Sequence, residues 1–200
     1  MSASSELLAA EHDLWTTMAR HPFLLAAADG TLPEETFGRW LVEDHHFVVG
    51  FRRFLARLVE LAPTEEARDL LVAGLGALQS ELDLFRSEAV DRGLDLDTEP
   101  SLTTLGYTSY LVASPADGWD TALTVLFGAE KAYFDAWSTV RAGADPTSPY
   151  WRFVDNWSSP AFGEWVDGIA GLVDALARPD HRTFRRVVRF ELEFWDQLRS

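Results

Sequence analysis

The sequence predicts an all-α protein, on three observations. Apolar residues recur at spacings of three and four along nearly the whole chain. Helix-starting and helix-stopping residues punctuate that pattern at regular intervals. No segment combines period-2 alternation with enrichment in β-branched residues, so no sheet is expected.

Leu7, Leu8, Leu14, Trp15 and Met18 share one face of a helix over 5–20, which ends before Pro22. A short helix over 22–28 stops at Asp29-Gly30. Thr31 then opens a capping box with Glu34, Pro33 sits in the first turn, and the helix runs to about Ala62, where Pro63 ends it. Thr64 starts a helix that reaches the Arg92-Gly93 stop. Segments 100–114, 118–142, 149–158, 160–177 and 180–199 complete a series of about eight helices. Ser148-Pro149 and Ser159-Pro160 each read as an N-cap followed by proline. Repeats and long linkers are missing, so residues 1–200 are expected to form one domain.

Composition narrows the function classes. Hydrophobic residues make up 47% and aromatic residues 12% of the 200, enough to build a packed core or a ring-lined cavity. The formal charge of -15, from 32 acidic against 17 basic residues, opposes binding to nucleic acid or anionic membrane and favours solubility. With no cysteine, the chain has no disulfide, no thiolate metal ligand and no thiol nucleophile. The N-terminal residues MSASSELLAAEHDLW lack the basic start and apolar run of a signal peptide, and no stretch is long enough to span a membrane. Cytoplasm is the expected compartment.

Three carboxylates stand where leucines would be expected. One helix face reads Phe37, Trp40, Leu41, Asp44, Phe47, Val48, Phe51, Phe54 and Leu58. A second reads Leu123, Leu126, Phe127, Glu130, Tyr133, Phe134 and Trp137, and a third Phe184, Val187, Val188, Glu191, Phe194, Trp195 and Leu198. Burying an unpaired carboxylate costs about several kcal/mol, so each needs a compensating partner or a reason. Each alone could be a core group satisfied by an arginine, a tyrosine or a backbone N–H. If the three faces converge, they line one polar cavity with aromatic walls, in which shifted carboxyl pKa values suit acid–base work. Tyr107 could add a phenol there or serve the core. Glu81, at the edge of a leucine stripe, reads as solvated or structural. Arg182, Arg185, Arg186 and Arg189 read as a solvated or salt-bridged helix side, and His45 and His46 as structural.

Several short motifs, in order, carry a resemblance. They are His21-Pro22-Phe23, then Asp29 to Pro33, then Trp40 to Asp44, then Tyr107-Thr108-Ser109, then Ser148-Pro149-Tyr150 through Phe162, and finally Glu191-x-x-Phe194-Trp195. Across nearly the whole chain they resemble the TenA (thiaminase II) family, whose fold is the heme oxygenase-like helical bundle with a central pocket. The resemblance implies that Asp44 hydrogen-bonds an aminopyrimidine, that Tyr107 is an active-site tyrosine, and that Glu191 is the catalytic glutamate near the scissile methylene. Phe47 and Trp157 stand where many members have tyrosine, which keeps stacking and removes two hydroxyls. Phe51 and Tyr133 join them as ring-binding residues.

Classical members carry a nucleophilic cysteine after the Tyr-Thr-Ser motif. Ungapped alignment from Tyr107 puts Glu130 at that position, as in the cysteine-less branch often called TenA_E. The implied function is thiamin salvage: hydrolysis of an aminomethylpyrimidine or its N-formyl form, by Glu130 and Glu191, with no metal and no cofactor. The family also implies a homo-oligomer whose partner is a small-molecule aminopyrimidine. Two other readings are a non-catalytic binding or regulatory protein that keeps the pocket, and a di-iron carboxylate enzyme. The latter typically needs Glu-x-x-His on two helices, and only Glu43-x-x-His46 fits here.

Overall fold

The computed structural model describes residues 1–199, and among them every regular element is helical. In chain order the helices are α1 (Ala3–Ala10), α2 (His12–Ala19), α3 (Pro22–Asp29), α4 (Glu34–Leu61), α5 (Glu65–Arg92) and α6 (Leu102–Ala113). They continue with α7 (Trp119–Gly143), α8 (Trp151–Trp157), α9 (Pro160–Asp174) and α10 (His181–Asp196). Short 3-10 turns follow α6 at Ser114–Asp117 and α10 at Gln197–Arg199. No helix among the described residues is long and apolar enough to cross a membrane.

Most punctuation acts as the sequence predicts. Gly30 and Gly93 end α3 and α5 with φ of 76° and 66°, a left-handed conformation that costs glycine little. Thr64 and Ser159 accept the backbone N–H of Ala67 and Phe162, capping α5 and α9.

Three local expectations are corrected. The single helix expected over 5–20 is two helices that break at Glu11 (φ -113°, ψ 20°). Glu11 is buried and accepts a 2.8 Å hydrogen bond from Arg185 Nε, a tie across 174 residues that local periodicity does not reveal. Thr31 does not cap α4. Its backbone N–H and hydroxyl both donate to Asp29 Oδ1, at 3.0 and 2.6 Å, and these bonds hold the Asp29 carboxyl below its ordinary range. The residue at the N-cap of α4 is instead Pro33, with no side-chain hydrogen bond. Nor does Ser148-Pro149 open a helix. Ser148 accepts from Tyr150 N–H in a turn, and α8 begins at Trp151.

The chain forms two compact units, one of Met1–Leu32 with Leu123 onward, the other of Pro33–Ala122. In the second, α4 packs along α5 and α6. At Gly50 a methyl group would lie 2.8 Å from Thr108 Cβ, so the missing side chain sets how closely α4 and α6 approach. In the first, α10 packs on α2 and α1 on α9. Gly128 of α7 does for Val187 of α10 what Gly50 does for Thr108, again with 2.8 Å to the nearest atom.

Candidate functional site

Asp44, Phe47 and Phe51 lie on the buried face of α4, and Tyr107 on that of α6. The spacing of three and four puts the α4 residues one above another. The Phe47 ring is 5.0 Å from that of Tyr107 and stacks on that of Phe51 at 5.8 Å. The close approach at Gly50 brings α6 near enough for the Tyr107 contact. Asp44 is 0% exposed, one turn from Phe47. An aromatic cluster thus lies beside a buried carboxylate, which pairs ring surface with a hydrogen-bond acceptor.

The other residues singled out by the sequence belong to the first unit. Glu130 and Tyr133 are on α7, Trp157 on α8 and Glu191 on α10. Tyr133 meets Trp157 edge-on at 5.7 Å and stacks on Trp195 at 5.7 Å. Phe127 stacks on Phe184, Gly128 faces Val187 and Tyr133 faces Trp195, so α7 and α10 run in parallel register. These contacts bracket Glu130 and Glu191 at matching levels of the two helices. Glu191 is 0% exposed, whereas Glu130 is half-buried. Among the described residues, no group of three or more His, Asp or Glu side chains is disposed to hold a metal ion.

Trp195 was legible only as part of an apolar stripe. The structure makes it a platform, stacked on both Tyr133 and Phe23, with its buried indole N–H making no hydrogen bond among the described residues. Its place one turn after Glu191 was the available signal. His45 and His46 are half-buried, off the buried face of Asp44, and the His45 ring lies 6.2 Å from that of Phe85. Burial, with positive charge from His46 and Arg86, lowers the His45 pKa. Glu43 is occupied elsewhere, accepting the Ser101 backbone N–H with both oxygens.

Comparison with known proteins agrees with the family resemblance. A TenA homologue of known structure from Pyrococcus furiosus superposes with a TM-score of 0.93 at 32% identity, over 98% of this chain and 99% of that one. An aminopyrimidine aminohydrolase of Halalkalibacterium halodurans is 26% identical, covering 98% of this chain and 95% of its own length. A probable bifunctional TENA-E protein of Glycine max is 24% identical, covering 94% and 89%. Residues 9–200 match the TENA/THI-4/PQQC family, and the chain belongs to it.

Proposed function

We propose that this protein hydrolyses a thiamin-derived aminomethylpyrimidine, or its N-formyl form, as a thiamin-salvage enzyme of the cysteine-less kind. The observation that carries the reading is the parallel register of α7 and α10, which supports Glu130 and Glu191 acting as a pair. Relatives named as aminopyrimidine aminohydrolases, from Halalkalibacterium halodurans and Bacillus subtilis, support the substrate class.

In the proposed reaction one glutamate takes a proton from water while the other protonates the departing nitrogen. For the free amine, the water oxygen bonds to the methylene carbon as the C–N bond breaks, giving the hydroxymethylpyrimidine and ammonia. For the formamide, water adds to the formyl carbon and the products are formate and the amine. Half-buried Glu130 suits the base, since it meets water. Fully buried Glu191 then takes the other role, as proton donor to the departing nitrogen. In the α4–α6 unit, Asp44 is the proposed acceptor for the ring's exocyclic amine, Tyr107 the proposed hydrogen-bond partner, and Phe47 and Phe51 the stacking surfaces. In the unit of the glutamates, Tyr133 and Trp157 are the proposed ring-binding residues. The lack of any cysteine argues against the covalent thiaminase route, which uses a thiolate.

Steady-state kinetics on both substrates test this assignment. Glu130→Gln and Glu191→Gln keep shape and remove a titrating group, so each should lose about 10²–10⁴-fold in kcat. Asp44→Ala should mainly raise KM, by removing the acceptor for the ring's amine. Full activity in either glutamine variant removes that glutamate from catalysis. A wild-type protein that binds aminopyrimidines and turns over none of them is a binding protein instead.

A further inference from the structure

The outward face of α10 concentrates positive charge in a chain that is otherwise strongly acidic. Arg182, Arg185, Arg186 and Arg189 hold four of the 17 basic residues within eight positions. Their spacing of three, four and seven puts them on one side of the helix along about 10 Å. The opposite side, with Thr183, Phe184, Val187, Val188 and Glu191, is buried, and the four arginines are exposed. Like charges at these spacings repel, and the pairing of Arg185 with Glu11 offsets only part of that repulsion.

The face is also shaped. A surface hollow of 380 Å³ is bounded by the four arginines, Phe190 and Glu193. A neighbouring one of 360 Å³, lined by Ala10, Glu11, His181, Arg182 and Arg185, shares two of those arginines. Arg185 is held in place by its Nε–H bond to Glu11, a carboxylate only 6% exposed, while the guanidinium itself stays largely in solvent. Arg182 and Arg189 form no ion pair among the described residues. His181 is taken up by Glu6.

We propose that this groove is a binding site for a small organic phosphate carrying two or more negative charges, separate from the aminopyrimidine site. Guanidinium forks match phosphate oxygens two at a time, and a row of them matches two linked phosphates better than one. The half-buried Phe190 ring offers an apolar surface to the organic part of the ligand. Glu193 sets the polarity at the rim, favouring a ligand with an amine or N–H there over a purely anionic one. The net charge of -15 works against a large polyanion, because nucleic acid or an anionic bilayer must approach the whole acidic surface. A small anion meets only the local field within about 8 Å at physiological salt.

Isothermal titration of the full chain with pyrophosphate, and with inorganic phosphate, tests the site at low salt and at about 0.15 M salt. Pyrophosphate should bind more tightly than phosphate. Arg182→Ala with Arg189→Ala should weaken pyrophosphate binding by about 10-fold or more, since each charge-assisted hydrogen bond is worth about that factor. Both substitutions are at exposed positions, so helicity by circular dichroism should not change. Absence of pyrophosphate binding, or binding that ignores the double substitution, overturns the proposal. So does tighter binding of a short DNA duplex or of phosphatidylserine vesicles than of pyrophosphate. Because the readout is binding, it stands or falls apart from any turnover result.

Discussion

At the start of α3, the His21 ring makes two different hydrogen bonds. Nδ1 accepts the Phe23 backbone N–H at 3.2 Å, capping the helix, and Nε2 lies 3.2 Å from Asp196 Oδ1. Nδ1 can accept only while unprotonated, so the neutral ring with its proton on Nε2 satisfies both partners. Burial lowers the pKa from 6.5, and Asp196 opposes that shift without reversing it. His45 is lowered for the same leading reason. A histidine with a lowered folded pKa binds fewer protons folded than unfolded, so stability rises with pH. The contribution is complete above about pH 6.5 and is lost as pH falls below it. Urea unfolding at about pH 7.5 and about pH 5.5 should show lower stability at the acid value. His21→Asn, whose side-chain oxygen can still cap, should reduce that difference. A wild-type midpoint that holds steady or rises towards pH 5.5 would falsify the assignment. Asp29 and Asp145, held low by their Thr31 and Thr147 hydrogen bonds, act in a separate window, below the ordinary carboxylate pKa of 3.8.

Helix pairs depend on where glycine is placed. Gly50 and Gly128 each stand where a methyl group would come within 2.8 Å of a β-branched side chain, Thr108 or Val187. Alanine normally gains about 0.5–1 kcal/mol over glycine inside a helix. Overpacking costs about 1–3 kcal/mol, so the clash decides the sign. Gly50→Ala and Gly128→Ala should each lower stability, and Gly128→Ala should also disturb the register of α7 against α10. Gly76, exposed in α5 with nothing within 4 Å of an added methyl, is the control. Gly76→Ala should raise stability by about 0.4–1 kcal/mol in chemical denaturation. If all three substitutions stabilise alike, helix spacing does not depend on Gly50 or Gly128.

Over the whole molecule, electrostatics is dominated by a surplus of acid. A net charge of -15 on 200 residues opposes compaction by self-repulsion. Exposed ion pairs such as Arg86–Asp83 and Arg141–Asp155 offset it by under about 1 kcal/mol each. Salt screens both, but the repulsion is long-ranged and involves many more charges. Raising ionic strength from about 0.01 to about 0.15 M shortens the screening length from about 30 to about 8 Å, and Tm should rise. A fall in Tm would mean that the ion pairs contribute more than the repulsion.

Sequence alone determined the helical class, most helix boundaries, and which faces turn inward. Apolar spacing and caps are local, and they act through contacts only a few residues apart. The same spacing placed Asp44 and Glu191 on buried faces, and both are fully buried. Partners far apart in the chain were decided by tertiary structure. Glu11 breaks the first helical stretch because Arg185 holds it from the last one, and Thr31 leaves its capping role because Asp29 takes its hydroxyl. Four arginines on one side of a helix are visible in the sequence, whereas the hollow they border and the Glu11 tie that orients one of them are not. The level of Glu130 against Glu191 likewise follows from how α7 seats on α10 at Gly128 and Trp195. Periodicity reports the angle of a residue around its own helix, and only packing sets its height against a neighbour.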